Sequence, residues 1–128
     1  MEKDALDELI VNEDQKPDSD LLAGILKNYV RFSQNGEILF AENFTDLQQW
    51  KKVLVYLLAR KAAVIKKLVQ LKECAAPLEI SNKIFIPAGN ISKFLNRELK
   101  SIVKEQKKCY FVPNYNLLKC KEILEEKS

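Results

Sequence analysis

The amino-acid sequence predicts an α+β fold that is mainly helical. Along most of the chain, apolar residues recur at intervals of three and four, which is the spacing of amphipathic helices. An Asn-Gly pair at 35–36 stands between two short strand-like runs, 29–32 and 37–40, and predicts a β-hairpin. Two further strand-like runs, 101–103 and 109–112, predict a second hairpin. With 128 residues, 47% of them hydrophobic, the chain is long enough to build one core.

The charges divide the chain into an acidic start and a basic remainder. Residues 1–17 predict a flexible acidic tail, and residues 18–128 predict a single domain. Residues 1–20 carry eight carboxylates against two lysines, whereas residues 51–128 carry 17 Lys and Arg against 7 Glu. A strongly basic part favours a polyanionic partner, although lysine-rich surfaces also keep proteins soluble.

A short helix is predicted after the acidic tail. Asp18, Ser19 or Asp20 can cap its first turn, because each side chain has an oxygen that accepts a backbone N–H. Helical spacing then continues to about Val30 through a set of apolar residues: Leu21, Leu22, Ile25, Leu26 and Tyr29. This helix leads directly into the first predicted hairpin.

A long helix is predicted to form the centre of the core. Thr45 and Gln48 match the capping box that marks a helix start. No glycine or proline interrupts residues 47–70, so the helix is expected to run for about 25 residues, or about 37 Å. Its apolar stripe consists of Trp50, Val53, Leu54, Leu57, Leu58, Ile65 and Leu68.

Residues 77–101 predict two helices joined by a tight turn. Pro77 fits the first position of a short helix that ends around Ile84. The sequence Ile-Pro-Ala-Gly at 86–89 breaks this helix, because proline cannot continue it and glycine permits a sharp corner. A second helix is then predicted over 90–101, with a buried face made of Ile91, Leu95, Leu99 and Ile102.

The predicted hairpin at 101–113 is short and has no glycine at its tip. A terminal amphipathic helix is predicted over 114–127, where the apolar residues are Leu117, Leu118, Cys120, Ile123 and Leu124. So much apolar surface on a short terminal helix predicts a homodimer that assembles through this helix.

Polar side chains with hydrogen-bond donors cover the other face of the second predicted helix. They are Asn90, Lys93, Asn96, Arg97 and Lys100, and the hairpin adds Lys104, Lys107 and Lys108. Donors of this kind reach the phosphates and base edges of DNA. The alternative interpretation is that they form only the solvated face that every surface helix has.

Helix, helix, turn, helix and hairpin, in this order, resemble the winged helix-turn-helix domain. The signature residues are IPAGNISKFLNREL at 86–99 and CYFVPNY at 109–115. The chain looks most similar to archaeal-type winged-helix proteins, chromosomal or from mobile elements, over about residues 30–125. The resemblance implies that the helix over 90–101 lies in the major groove and that the hairpin lies on the flanking backbone.

This resemblance also implies individual contacts with DNA. Arg97 is expected to bond guanine, and Asn90 or Asn96 to address adenine. Lys93 and Lys100 are expected to neutralise phosphates. The implied function is that of a cytoplasmic, nucleoid-associated transcriptional regulator that binds double-stranded DNA. The alternative is a winged-helix module for protein–protein interaction or assembly, without DNA binding.

Neither an enzyme nor a metal site is predicted. The chain has no histidine, which is the commonest metal ligand and general base. The three cysteines, Cys74, Cys109 and Cys120, are odd in number and far apart, so neither a disulfide framework nor a zinc site is expected. No apolar run is long enough to predict a membrane span, and no cofactor or small-molecule ligand is evident.

Overall fold

A computed structural model describes residues 18–67 and 72–125 and has an α+β fold that is mainly helical, as the sequence predicts. The predicted acidic tail, residues 1–17, lies outside the described residues. In chain order the elements are α1 (Ser19–Leu26), β1 (Val30–Phe32), β2 (Ile38–Phe40), α2 (Glu42–Thr45), α3 (Gln49–Ile65), α4 (Pro77–Ile84), α5 (Ala88–Asn96), β3 (Lys104–Gln106), β4 (Cys109–Phe111), a 3₁₀ turn (Asn114–Asn116) and α6 (Leu117–Glu125).

The first hairpin forms as predicted, but the first helix is shorter than predicted, because α1 ends at Leu26 and Val30 already belongs to β1. Asp18 caps α1, and its Oδ1 accepts the backbone N–H of Leu21 at 3.0 Å. Strands β1 and β2 pair antiparallel, with Val30 opposite Phe40 and with Gly36 in the connecting turn at φ 85. Only glycine adopts such a positive φ without a steric penalty, which explains the Asn-Gly signal.

Helix α3 is the centre of the core. Its residues 53–59 are all buried, and the helix packs against α1, α4, α5 and β4. The predicted length of about 25 residues is wrong, because α3 has 17 residues and ends at Ile65. Two residues later, Lys67 has a left-handed backbone with φ 56, which cannot continue a right-handed helix.

The predicted capping box at the start of α3 is also wrong. The Thr45 hydroxyl donates to the carbonyl of Glu42 at 2.6 Å, so it belongs to the separate short helix α2. Gln48 is the N-cap residue of α3, and its side-chain oxygen accepts the indole N–H of Trp50 at 2.9 Å. The Trp50 indole therefore occupies the Gln48 oxygen, which in a capping box would accept a backbone N–H.

The two predicted helices joined by a turn form as α4 and α5, but the second helix ends earlier than predicted. Pro77 occupies the first turn of α4, and α5 begins at Ala88 with Pro87 as its N-cap. The prediction of a helix over 90–101 is wrong at its end, because α5 stops at Asn96. The N–H of Leu99 donates to the carbonyl of Phe94 at 2.9 Å, and this bond closes the helix. Turns, and not a helix, carry the buried Leu99 and Ile102.

The second hairpin is displaced along the sequence from its predicted position. Strand β3 covers 104–106 instead of 101–103, and Gln106 lies opposite Cys109. Lys107 and Lys108 form a two-residue turn with φ values of 52 and 64. Two successive positive φ values are typical of a two-residue hairpin turn, because they match the twist of the two strands. A turn this short lets residues 104–106 pair directly with residues 109–111.

The expectation that the cysteines form no disulfide is wrong, because Cys74 and Cys109 are bonded to each other. Their neighbours Ala75 and Tyr110 form an antiparallel bridge, with two N–H to carbonyl bonds of 2.8 Å. A sequence separation of 35 gives no local signal for such a pair. The third cysteine, Cys120, is free and fully buried.

The terminal helix forms, and most of its apolar residues pack inside the chain. Leu117, Cys120 and Leu124 are buried, and α6 lies against α1. Leu118 is 57% exposed. The apolar surface that predicted a homodimer is therefore largely explained by packing within one chain, and the homodimer stays a prediction. Of the described helices, none has the length and apolar character needed to cross a membrane.

Candidate nucleic-acid interface

Helix α5 separates a buried face from a polar face. Ile91 and Leu95 are 0% and 1% exposed and anchor the helix to the core. Asn90 and Lys93 are three residues apart, and Arg97 follows four residues later, so the three residues lie along one side. All three are exposed. The structure thus brings three of the predicted DNA-binding residues onto one solvent-facing stripe.

Asn96, Arg97 and Lys100 depart from the predicted arrangement along one continuous helix. The Asn96 amide donates to the carbonyl of Ser92 at 2.8 Å, so one of its donors is already used inside the helix. Arg97 is the C-cap residue, with φ −121 and ψ −84, and Lys100 lies in the turns that follow. The structure therefore does not place Lys100 on the helix, although its side chain is exposed.

The three predicted lysines of the hairpin lie at its two ends. Lys107 and Lys108 form the exposed tip. Lys104 is half-buried and begins β3, where it is paired with Phe111. Three strand residues span about 10 Å, so Lys104 is separated from the tip by about that distance. Only the tip lysines extend away from the body of the protein.

The polar stripe and the hairpin tip carry positive charge that internal ion pairs do not neutralise. Within residues 18–67 and 72–125 the ion pairs are Arg60 with Glu79 and Lys61 with Glu73. Residues 86–112 hold six Lys and Arg against two Glu. One of those two, Glu105, accepts a hydrogen bond from the Tyr110 hydroxyl at 3.2 Å. Burial and the Glu105 carboxylate together raise the pKa of Tyr110, so this hydroxyl keeps its proton.

Both basic elements are attached to the same rigid helix. Helix α3 packs against α4, α5 and β4. The hairpin is also held to the segment before α4 by the Ala75–Tyr110 bridge and by the neighbouring disulfide. The position of the hairpin relative to the helix-turn-helix pair is therefore set by covalent and backbone contacts as well as by packing.

Two cations of α3 are structural and were not recognised as such in the sequence. Arg60 and Lys61 are 4% and 3% exposed. Arg60 donates through Nε to the carbonyl of Lys72 at 2.9 Å and through Nη1 to Glu79 at 2.7 Å. Burial lowers the pKa of Arg60, but hydrogen bonds to Tyr56 and Glu79 outweigh it, and the net pKa is raised. Helical periodicity alone gives no sign that these charges point inwards.

Lys61 connects α3 to the other side of the core. Its ammonium group pairs with the Glu73 carboxylate and donates to the carbonyl of Val112 at 3.1 Å. It therefore ties the segment before α4 to the residue that follows β4. The basic charge of the candidate interface comes from the exposed cations of α5, the turn that follows it and the hairpin tip, and these two buried groups do not contribute to it.

Other features of the described part of the chain offer little chemistry. In that part, no three His, Cys, Asp or Glu residues are grouped so that they could hold a metal ion. Burial raises the pKa of the Cys120 thiol to about 12, which keeps it protonated and unreactive. A cavity of about 650 Å³ lies between α1, β1 and the end of α3. None of the predicted DNA-binding residues lines it.

The candidate interface is thus an exposed polar stripe on α5 and a cationic hairpin tip, both fixed to α3. The donors are amide, ammonium and guanidinium groups, which suit an anionic partner with exposed acceptors. Comparison of the chain with family models, with curated proteins and with solved structures yields no match.

Proposed function

We propose that this chain is a winged helix-turn-helix protein that binds double-stranded DNA and acts as a transcriptional regulator. Helix α5 enters the major groove, and the β3–β4 hairpin is the wing on the flanking backbone. The observation that carries the proposal is the exposed stripe of Asn90, Lys93 and Arg97, which stands opposite a fully buried helix face.

The dimensions of α5 support this proposal. Nine residues at about 1.5 Å each give a helix about 13 Å long. The major groove is about 12 Å wide, which admits the roughly 10 to 12 Å diameter of an α-helix, so the whole length of α5 can lie along it. In such a complex Asn90 lies nearest the bases, because the amino-terminal residues of a recognition helix enter the groove. Arg97 bonds guanine, and Lys93, Lys100 and the tip lysines neutralise phosphates.

A homodimer on a pseudo-palindromic site is part of the same proposal. A helix of nine residues reads few base pairs, so two copies are needed for a long site. The exposed Leu118 and Tyr115 are the apolar residues of the carboxyl-terminal part that remain available for it. Light scattering that gives a concentration-independent monomer, both free and on DNA, would rule out the dimer.

We further propose an intracellular location on the nucleoid. Disulfides are rare in cytosolic proteins, but intracellular proteins of hyperthermophilic archaea and bacteria are rich in them. An intracellular location therefore requires the Cys74–Cys109 disulfide to belong to this exceptional class of protein.

Fluorescence anisotropy with random and genomic duplexes at two salt concentrations tests DNA binding. About five phosphate contacts give a log-log salt slope of about −4 to −5. The double variant Lys93→Ala/Arg97→Ala is expected to weaken binding by about 1 to 3 kcal/mol for each base contact that it removes. The control Lys66→Ala/Lys119→Ala removes the same charge from exposed positions outside the proposed interface.

Two results would contradict the proposal. Equal losses in the two double variants would show that only net charge matters and would remove the assignment of α5. Failure to bind any duplex at either salt concentration would favour the alternative, a winged-helix module for protein–protein interaction or assembly.

A further inference from the structure

Phe85 is an exposed aromatic side chain in the turn between α4 and α5. It is 88% exposed, more than any other large hydrophobic side chain of the described residues. It lies two residues before Pro87, the N-cap residue of α5. The helix that is proposed to read DNA therefore begins beside the most exposed apolar ring of the protein.

The backbone of Phe85 is in an unfavourable conformation. Its φ of 59 and ψ of 36 are left-handed, and its N–H donates to the carbonyl of Ser81 at 2.9 Å to close α4. Glycine or asparagine usually occupies this position, because a larger side chain is strained there. Phenylalanine at 85 thus combines backbone strain with an exposed apolar ring, and neither contributes to stability.

The exposed apolar surface is too small for a stable protein–protein interface. Fully burying a phenylalanine covers about 200 Å², so the exposed part of Phe85 offers about 180 Å². Leu78, on the same side of α4, is 65% exposed and adds a smaller area. A stable protein partner needs about 800 Å² of surface on each side, of which about 57%, or roughly 450 Å², is apolar. The exposed residues within eight positions of Phe85 in the sequence include the polar or basic Asn82, Lys83, Asn90 and Lys93.

One apolar ring among cations and amides matches a base edge that carries a methyl group. In the major groove, thymine presents its 5-methyl group, and phenylalanine is one of the side chains that contact it. We propose that Phe85 is a specificity-determining residue that packs on a thymine methyl group next to the bases read by α5. This inference rests on the proposed function, because it requires α5 to lie in the major groove.

The test uses the full chain and a duplex selected from a random library by binding to the wild-type protein. Each thymine of that duplex is replaced in turn by deoxyuridine, which removes only the methyl group. At one position, the wild-type protein is expected to bind about fourfold more weakly, as the transfer of one methyl group predicts. Phe85→Gly and Phe85→Asn are expected to bind the thymine duplex more weakly and to show no loss on that replacement.

These variants separate a contact with DNA from a structural role of the ring. Glycine and asparagine tolerate the left-handed backbone, so both variants are expected to unfold at a temperature no lower than that of the wild-type protein. Leu78→Ala is the matched control. It removes an exposed apolar side chain near the start of α4, about 10 Å from Phe85 along the helix axis. It is expected to leave both the affinity for the duplex and the loss on replacing thymine by deoxyuridine unchanged.

The outcomes distinguish this inference from the proposed function. If Lys93→Ala/Arg97→Ala weakens binding while both Phe85 variants keep the wild-type methyl effect, the role of Phe85 is refuted and DNA binding stands. If no duplex binds at all, both are refuted. If the Phe85 variants change the molecular mass in light scattering but not the DNA affinity, the ring contacts a second copy of the chain, and the inference is wrong.

Discussion

Removal of the Cys74–Cys109 disulfide is expected to destabilise the whole domain. The bond closes a loop with a sequence separation of 35, which contains α4, α5 and β3. For a loop of this length, the chain-entropy relation gives about 13 cal/mol/K, or about 4 kcal/mol at 25 °C. The backbone bridge between Ala75 and Tyr110 remains, so most of the loss comes from the greater freedom of the unfolded chain.

The double variant Cys74→Ser/Cys109→Ser makes this measurable. An unfolding entropy of about 2.1 cal/mol/K per residue, over 128 residues, converts 4 kcal/mol into a fall of about 15 °C in the melting temperature. Guanidinium chloride titrations followed by circular dichroism give the free energy of unfolding directly. In a strong reductant, the wild-type protein is expected to have the same free energy of unfolding as the variant. The free energy of unfolding of the variant is expected to be the same with and without the reductant.

One result would refute this reasoning. Thiol titration of the unfolded protein should give one free thiol without reductant and three after reduction. If three thiols are counted and the unfolding midpoint of the wild-type protein has not moved, the disulfide does not constrain the unfolded chain as argued.

The remaining predictions concern buried ionisable groups. Glu79→Gln removes the ionic partner of the buried Arg60. Breaking a fully buried ion pair costs about 3 to 5 kcal/mol of the free energy of unfolding. Because the Glu79 side chain is 41% exposed, we expect a smaller loss of about 1 to 2 kcal/mol. Urea unfolding measures this loss, and a value indistinguishable from that of the exposed control Glu122→Gln would contradict the structural role of Arg60. The Cys120 thiol, with its pKa raised to about 12, should not react with a thiol reagent at pH 8 until the protein unfolds. Rapid labelling of the native protein would show that this thiol is not buried.

Local signals in the sequence predicted the local structure well. The Asn-Gly pair located the first hairpin, Pro77 located the start of α4, and the three candidate caps Asp18, Ser19 and Asp20 located the start of α1 to within three residues. Each of these signals acts within three or four residues, through a cap, a fixed φ or a tolerated positive φ. The spacing of Ile91, Leu95, Leu99 and Ile102 also predicted which residues are buried.

The same spacing failed to predict where the helix ends. Burial of Leu99 and Ile102 needs only that they face the core, and turns achieve this as well as a longer helix does. The hydrogen bond from the Leu99 N–H to the carbonyl of Phe94 ends α5. Near Asn96 the sequence has no glycine or proline that would predict this end. Lys100 consequently lies off the helix, so the predicted placement of this residue on the helix was wrong.

Long-range contacts could not be predicted from one sequence. The Cys74–Cys109 disulfide and the Lys61 contact with Val112 join residues that are 35 and 51 positions apart. Arg60 and Lys61 follow helical periodicity, yet both point into the protein, because Glu73 and Glu79 from later segments pair with them. Which side of α3 such partners cover is decided by tertiary packing and not by the pattern along the helix.

The strained residues of this chain lie where DNA contacts are proposed. Three of the four non-glycine residues with positive φ among the described residues are Phe85, Lys107 and Lys108. Glycine or asparagine at these turns would relieve the strain, since both tolerate the left-handed backbone. The turn before α5 and the hairpin tip carry instead a ring and two cations, which are side chains able to reach a base and a phosphate. Strain is retained at functional sites when the side chain is needed there. On this argument, Lys107→Gly/Lys108→Asn should resemble Phe85→Gly in binding DNA more weakly without any loss of stability.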